Sequence, residues 1–402
     1  MRHTKTLHAK IERRQSRLEI RFDDQVLFFE KDCGEPAFSD HDDFAVWALL
    51  PMAMESGRNL KIESAVHEET IRAAEKICHI WHLWMPPHFL PVHVDAAQVM
   101  KTSGDSPERT QGALLALSGG IDSTYALLRH KEALNITRTL TVHGFDIPLD
   151  KRSLFRDLAA KAQGISRKAG VSNLVLRTNV RNWVSRWEPM HMLPLTAALT
   201  VFNDCFTQLL ASSSYTLEKS FLMHPWGTNF VTDSLLTAGG WGVDVLDSTV
   251  DRIEKVQYIL DYKDYLPFIT VCYKNKSSGN CGKCMKCILV KLYMHAFQDD
   301  VSALFPHAPL TDKDIGKFKK YRYEEIYRAS MENAIGMARR AGRKEAERMF
   351  QDILRAQRRN WRAIAGFNNN HAHYLKLRNF IRRLKGKPAL GHGLPEEDWP
   401  ND

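Results

Sequence analysis

Apolar and polar positions first alternate near the start of the chain. Leu18, Ile20 and Phe22 alternate up to Asp23-Asp24, and Val26 and Phe28 alternate after it, which predicts a β-hairpin. The period then lengthens. Phe44, Trp47, Leu50 and Met54 recur at helical spacing behind Ser39 and Asp40, two residues suited to capping. Residues 59–62 read as a strand, 68–84 as a helix stopped by Pro86-Pro87, and 90–94 as a strand whose Pro91 suggests an edge. Residues 1–105 therefore read as an α+β N-terminal domain, followed by a polar linker over 101–111. From there short apolar runs alternate with helical stretches. Strands are expected at 114–117, 139–146, 173–178 and 211–215, and helices after residue 121, over 154–169 and over 194–210. This alternation predicts an α/β fold with a parallel sheet covered by helices on both faces, and a ligand crevice at the carboxyl ends of the strands. Residues 118–123, His143-Gly144, Thr178-Asn179 and 212–215 would surround that crevice. Residues 224–236, rich in Gly, Pro and polar side chains, read as a long surface loop.

The most informative stretch is Leu117-Ser118-Gly119-Gly120-Ile121-Asp122-Ser123-Thr124, a strand end, a tight loop and a helix start. Gly119 and Gly120 let an anion approach the backbone. The free N–H groups and positive end of the following helix then face the same point. Ser118 and Ser123 add hydroxyls, and Asp122 offers a carboxylate suited to Mg²⁺. A phosphate site is one reading, and a capped Gly-Gly turn is the other.

Cysteines supply the second signal. Cys272-x8-Cys281-x2-Cys284-x2-Cys287 holds four of the seven in the chain, and two overlapping C-x2-C pairs fit a tetrahedral Zn–S₄ centre of structural type. Lys274, Lys276, Lys283 and Lys286 would offset its negative charge. His79 and His82, three apart on a predicted helix, are read as boundary residues of an apolar helix. Lys255 is either a cation for a phosphate or part of a solvated helix face.

Ser-Gly-Gly-Ile-Asp-Ser after an apolar strand resembles the SGGxDS signature of the PP-loop ATP pyrophosphatases; no Gly-Lys-Ser/Thr follows, so it is not a Walker A loop. The resemblance implies that Leu117, Ser118, Gly119, Gly120, Ile121, Asp122, Ser123 and Thr124 contact ATP. It further implies AMP plus pyrophosphate as products, with Asp122 and Ser123 catalytic. The sheet reading adds Lys255 as a catalytic cation at the α-phosphate and puts adenine and ribose at the end of the second strand, near Val142, His143 and Gly144, where His143 is equally a strand-end residue with no role. Loop and cysteines together, in this order, resemble the QueC (7-cyano-7-deazaguanine synthase) family over residues 112–295. That likeness implies a ligase using ATP, Mg²⁺ and structural Zn²⁺ at Cys272, Cys281, Cys284 and Cys287. Its substrate would be a deazaguanine-type carboxylate, 7-carboxy-7-deazaguanine, taken to a nitrile or amide. Where the family has Pro-Gly-Arg-Asn, this chain reads Glu188-Pro189-Met190-His191, so the pocket is expected to differ. The added N-terminal domain and basic tail make the chain similar to the long, QatC-type forms of anti-phage defence operons. That implies a protein partner or protein substrate, engaged through either addition.

Charge refines this division. The 402 residues carry a net +9, yet residues 311–390 hold 21 Lys/Arg against 8 Asp/Glu, and residues 391–402 hold four acids and no base. Residues 1–310 are therefore neutral overall, with 35 bases and 35 acids, and 301–402 reads as a basic helical extension ending in a disordered tip. Basic pairs interleaved with aromatics in that extension also suit nucleic acid, so a PP-loop tRNA-modifying enzyme is one alternative; it would need a reactive thiol, and Cys205 is the spare one. A non-catalytic subunit on an ATP fold is another. No apolar run is long enough to span a bilayer, and the first residues lack a secretory h-region, so a cytoplasmic protein without a membrane partner is expected.

Overall fold

The computed structural model describes residues 5–32, 36–101, 111–222, 226–239, 241–272, 279–320 and 325–368. The expected linker falls mostly outside these residues, as does the acidic tip. The N-terminal part runs β1 (Thr6–Arg14), β2 (Arg17–Phe22), β3 (Gln25–Lys31), α1 (Asp43–Ser56), β4 (Asn59–His67), α2 (Glu68–Trp84) and β5 (Val94–Met100). The middle runs β6 (Ala113–Ala116), α3 (Ile121–His130), β7 (Ile136–His143), α4 (Arg152–Lys168), β8 (Ser172–Thr178), α5 (Trp187–Met190), α6 (Met192–Thr200) and β9 (Leu209–Ser212). It continues through α7 (Leu217–Leu222), α8 (Phe230–Asp233), β10 (Thr237–Ala238), β11 (Trp241–Leu246), α9 (Arg252–Leu260) and α10 (Met285–His295). The chain closes with α11 (Asp312–Lys320), α12 (Glu325–Arg340) and α13 (Lys344–Asn368).

The eleven strands among the described residues form one mixed sheet, ordered β10-β11-β9-β6-β7-β8-β3-β2-β1-β4-β5. Strands β8, β7, β6, β9 and β11 are parallel to one another. In their own chain order they read 3-2-1-4-5, the doubly wound arrangement in which the chain reverses direction across the sheet beside its first strand. That reversal lies between β6 and β9. The N-terminal strands extend this sheet through an antiparallel β3–β8 pair, Phe29 opposite Thr178. The hairpin turns at Asp23, whose φ of 47° lies in the left-handed region that Asp tolerates.

Alternation along the apolar strands sends side chains to two cores. Leu114, Leu209 and Ala211 face one core with α1 and α6, whereas Leu115, Leu117 and Leu210 face another with α3, α9 and α10. Helix α1 is apolar nearly all round and buried on every side, as such a composition demands. Trp47 on α1 donates Nε1–H to Thr237 O at 2.8 Å, and a Cβ at Gly239 would stand 2.8 Å from the His67 ring. The β10 edge of the sheet is thereby carried round to the end of β4, over α1 and α2. The first hundred residues and the α/β unit consequently share one sheet and one core.

Several boundaries moved, among them the strand expected at 139–146, which runs Ile136–His143. The expected helix 194–210 stops at Thr200 and β9 begins at Leu209, because Asn203, Asp204 and Thr207 interrupt the apolar pattern with turns. The strand expected at 90–94 starts at Val94, with Pro91 ahead of it. The stretch 224–236 is not a plain surface loop: Thr228, Asn229 and Thr232 are buried around α8. Replacing Trp47 by Ala is expected to cost about 3–5 kcal/mol, read by urea unfolding, with one cooperative transition retained because both parts share the core.

Candidate functional site

The loop after β6 begins with Leu117, whose N–H donates to Leu140 O at 2.8 Å and whose carbonyl accepts from Thr141 Oγ1 at 3.0 Å. Gly119 then turns through φ +73°, and nothing stands within 4 Å of where its Cβ would be. Gly120 is extended and caps α3, accepting from Thr124 N at 3.1 Å. The two serines brace the loop from inside. Ser118 Oγ accepts from Gly120 N at 3.3 Å and meets Ser123 Oγ at 3.2 Å, and Ser123 Oγ accepts from Ser118 N at 3.3 Å. Ser123 is buried, as is Thr124, whose hydroxyl has no partner. The N–H groups of Ile121, Asp122 and Ser123 open the helix without an intrahelical acceptor.

Asp122 does not stand alone. Arg252 grips it twice, Nε to Oδ1 at 3.2 Å and an Nη to Oδ2 at 2.7 Å, and donates to Ser214 O at 3.2 Å. Lys255 Nζ, fully buried, lies 3.6 Å from Asp122 Oδ1 and donates to Ser213 O at 2.7 Å. Burial alone would push the Asp122 carboxyl up, but Arg252 and then Lys255 outweigh it and hold the pKa below the usual carboxylate range. Burial draws the Lys255 pKa down despite Asp122. Burial also opposes the charge on Arg252, and Asp122 overcomes it, holding the guanidinium's pKa above its ordinary value.

Arg252 escaped the sequence reading, which had only Lys255. The signal was present. Asp251 and Glu254 form a capping box that fixes where α9 starts, so residues 252 and 255, three apart, share one face. Behind them Lys219, buried, pairs with Asp251 and donates to Ser330 Oγ at 2.7 Å, so α12 supports the start of α9.

Val142 is partly buried against the first core, and the His143 ring stacks on Phe155 at 4.0 Å while its Nε2 lies 3.2 Å from Pro148 O. Burial draws the His143 pKa down. Gly144 sits at φ +107°, where a Cβ would come 1.8 Å from Thr178 O. These three residues form a tight strand-end junction with the imidazole committed to Phe155. The expected grouping near 212–215 fares differently. Tyr215 lies under Arg252 at 5.6 Å and starts a run of rings: Trp226 at 5.7 Å, then His191 at 5.8 Å, Trp187 at 6.4 Å and Phe145 at 5.1 Å, each from the one before. Arg181 covers Trp187 at 4.3 Å, and Trp226 Nε1 is buried without a partner.

The four thiols Cys272, Cys281, Cys284 and Cys287 converge, with all Sγ atoms within 4.8 Å of one another. Gly282, at φ +66°, turns the chain so that Lys283 N and Cys284 N both point at Cys281 Sγ, at 3.5 and 3.3 Å. Hydrogen bonding, chiefly with Cys287, pushes the Cys284 thiol down to about 5. Four converging sulfurs with N–H donors fit a tetrahedral metal such as zinc and leave no open position on it. The same fit fails for Mg²⁺ at Asp122, whose oxygens are engaged by Arg252 and Lys255 rather than open as an oxygen cage. His79 and His82 direct Nδ1 at the carbonyls of Glu75 and Phe89, each at 2.8 Å, in keeping with a boundary role.

Compared with protein-family models, curated proteins and solved structures, the chain matches none. Among the described residues, no helix is long and apolar enough to cross a membrane.

A carboxylate held below its unfolded value stabilises the fold at neutral pH, and that contribution is lost only as pH falls through the lowered folded value. NMR titration of the Asp122 carboxyl should find it below the ordinary range in the wild type and raised in Arg252→Ala, with stability down by about 3 kcal/mol. Metal analysis should find one zinc per chain, and Cys287→Ser should release it.

Proposed function

We propose that the protein activates a carboxylate by adenylation, splitting ATP into AMP and pyrophosphate, and that the acid belongs to a planar, deazaguanine-like heterocycle. The observation that carries this reading is the loop at 118–123: a bare left-handed glycine and a helix start with no side-chain cap, with two partly or fully buried cations across from it. In the reaction, a substrate carboxylate oxygen attacks the α-phosphorus and pyrophosphate leaves. An amine nitrogen then attacks the acyl carbon, AMP leaves and an amide forms.

The N–H groups at the start of α3 suit the departing phosphates, and Arg252 and Lys255 suit the charge that develops between α- and β-phosphates. A triphosphate arriving there competes with Asp122 for Arg252. Any Mg²⁺ in the reaction would come on the nucleotide's own oxygens, as this ion commonly does. The rings of Tyr215, Trp226, His191 and Trp187 suit a flat aromatic substrate beside the loop, and His191 belongs to the stretch 188–191 that departs from the QueC pattern, in keeping with an altered substrate pocket. The tRNA-modifying alternative loses support at Cys205, whose Sγ is engaged with Ala37 O at 3.4 Å, and at the basic extension, whose Phe318, Met331 and Phe350 are buried in the second core.

Incubation with ATP and candidate heterocyclic acids should release AMP and pyrophosphate in equal amounts; ADP and phosphate as products would overturn the reading. Lys255→Ala should lower turnover by roughly 10²–10³-fold without changing metal content.

A further inference from the structure

The segment that enters the cysteine cluster also touches the loop at 118–123. Thr270 N–H donates to Gly119 O at 2.8 Å, and Thr270 O would lie 3.7 Å from a Cβ at Gly120. Thr270 stands two residues before Cys272. Its position is bracketed by one side chain, that of Asn280, the residue before Cys281. Asn280 Oδ1 accepts from Val271 N at 2.7 Å and from Cys272 N at 3.3 Å, while Nδ2 donates to Ile269 O at 3.0 Å and Leu304 O at 3.1 Å. All the hydrogen-bonding capacity of one amide is thus used on the backbone either side of Thr270 and on the turn before α11.

We propose that Asn280 is a positioning residue through which the thiol-bound metal holds the loop at 118–123 in its anion-binding shape. Four thiols around one metal join residue 272 to residues 281–287. Asn280 lies inside that closed stretch and clamps 269–272. Thr270 then passes the constraint to Gly119, whose φ of +73° is the turn that aligns the helix-start N–H groups. Nothing stands within 4 Å of where a Gly119 Cβ would be, and the hydrogen bond from Thr270 holds the residue from its carbonyl side. The metal therefore acts on the loop without touching substrate, and Asn280 is the link that can be cut while all four thiols stay.

The test reads amide hydrogen exchange at Gly120, Thr124 and Thr270, whose N–H groups donate to Ser118 Oγ, Gly120 O and Gly119 O, in the full chain with no nucleotide added, so its outcome is independent of the proposed ATP chemistry. Stripping the metal with a chelator should speed exchange there at least tenfold. Asn280→Ala should do the same while retaining one metal per chain, and should weaken binding of inorganic pyrophosphate by a similar factor. Asn280→Asp keeps the two acceptor bonds and loses both donor bonds; it should fall between, and decides the matter if Asn280→Ala shows no cooperative melt. Unchanged exchange at Gly120, Thr124 and Thr270 in metal-free protein, or in a folded, metal-loaded Asn280 variant, overturns the link. Wild type that shows the exchange effect yet binds no pyrophosphate would instead count against the ATP reading alone.

Discussion

A carboxylate at the mouth of an apolar sheet is costly unless cations are buried with it. Asp122 imposes that constraint, and much of the surrounding architecture answers it. Helix α9 has to begin at one residue and no other, so that Arg252 and Lys255 both reach the loop. The capping box of Asp251 and Glu254 sets that start, Lys219 neutralises Asp251, and Ser330 on α12 completes the hydrogen bonding of Lys219. The end of β9 contributes the carbonyls of Ser213 and Ser214, which accept from the same two cations. Charge is therefore stored at the loop in a compensated form, available to an incoming anion without a large excess of positive surface.

The C-terminal helices look different once packing is set beside charge. Their composition suggests a basic appendage. Yet Phe318, Met331, Ala334, Met337, Phe350 and Ile353 are buried with the helices of the α/β unit, and Lys291 on α10 pairs with Asp314 on α11 at 2.6 Å. The amphipathic pattern divides the two roles: one face completes a core, and the Arg-rich face is left outward. Supporting α9 from behind, these helices belong to the architecture of the site.

Much of this was legible in the residues. The loop, the cysteine spacing, the hairpin and helix α2, at Glu68–Trp84, follow local rules: turn chemistry, ligand spacing and period. Local rules fail where a partner is distant in sequence. Strand β1 is Thr-Leu-His-Ala-Lys-Ile-Glu-Arg-Arg, too charged to read as a strand, and it forms because β2 and β4 flank it. Arg252 looked like one more charge on a helix because nothing nearby in sequence names Asp122. Two-residue β10 has no pattern to detect. The contact between Thr270 and Gly119 joins two motifs that the sequence presents as separate, and only the fold sets them side by side.

Helix α1 raises a matter of timing. It is among the most apolar segments of the chain, and it is synthesised well before β10. Part of its cover is the hairpin edge at Thr237, 190 residues downstream of Trp47. At typical elongation rates the ribosome needs roughly 10–40 s to supply that distance. During that interval β4, α2 and then α6 can cover α1, but the Thr237 edge is still missing. A nascent chain of this kind is a natural client for holding chaperones, and the lateness of β10 sets how long it must be held.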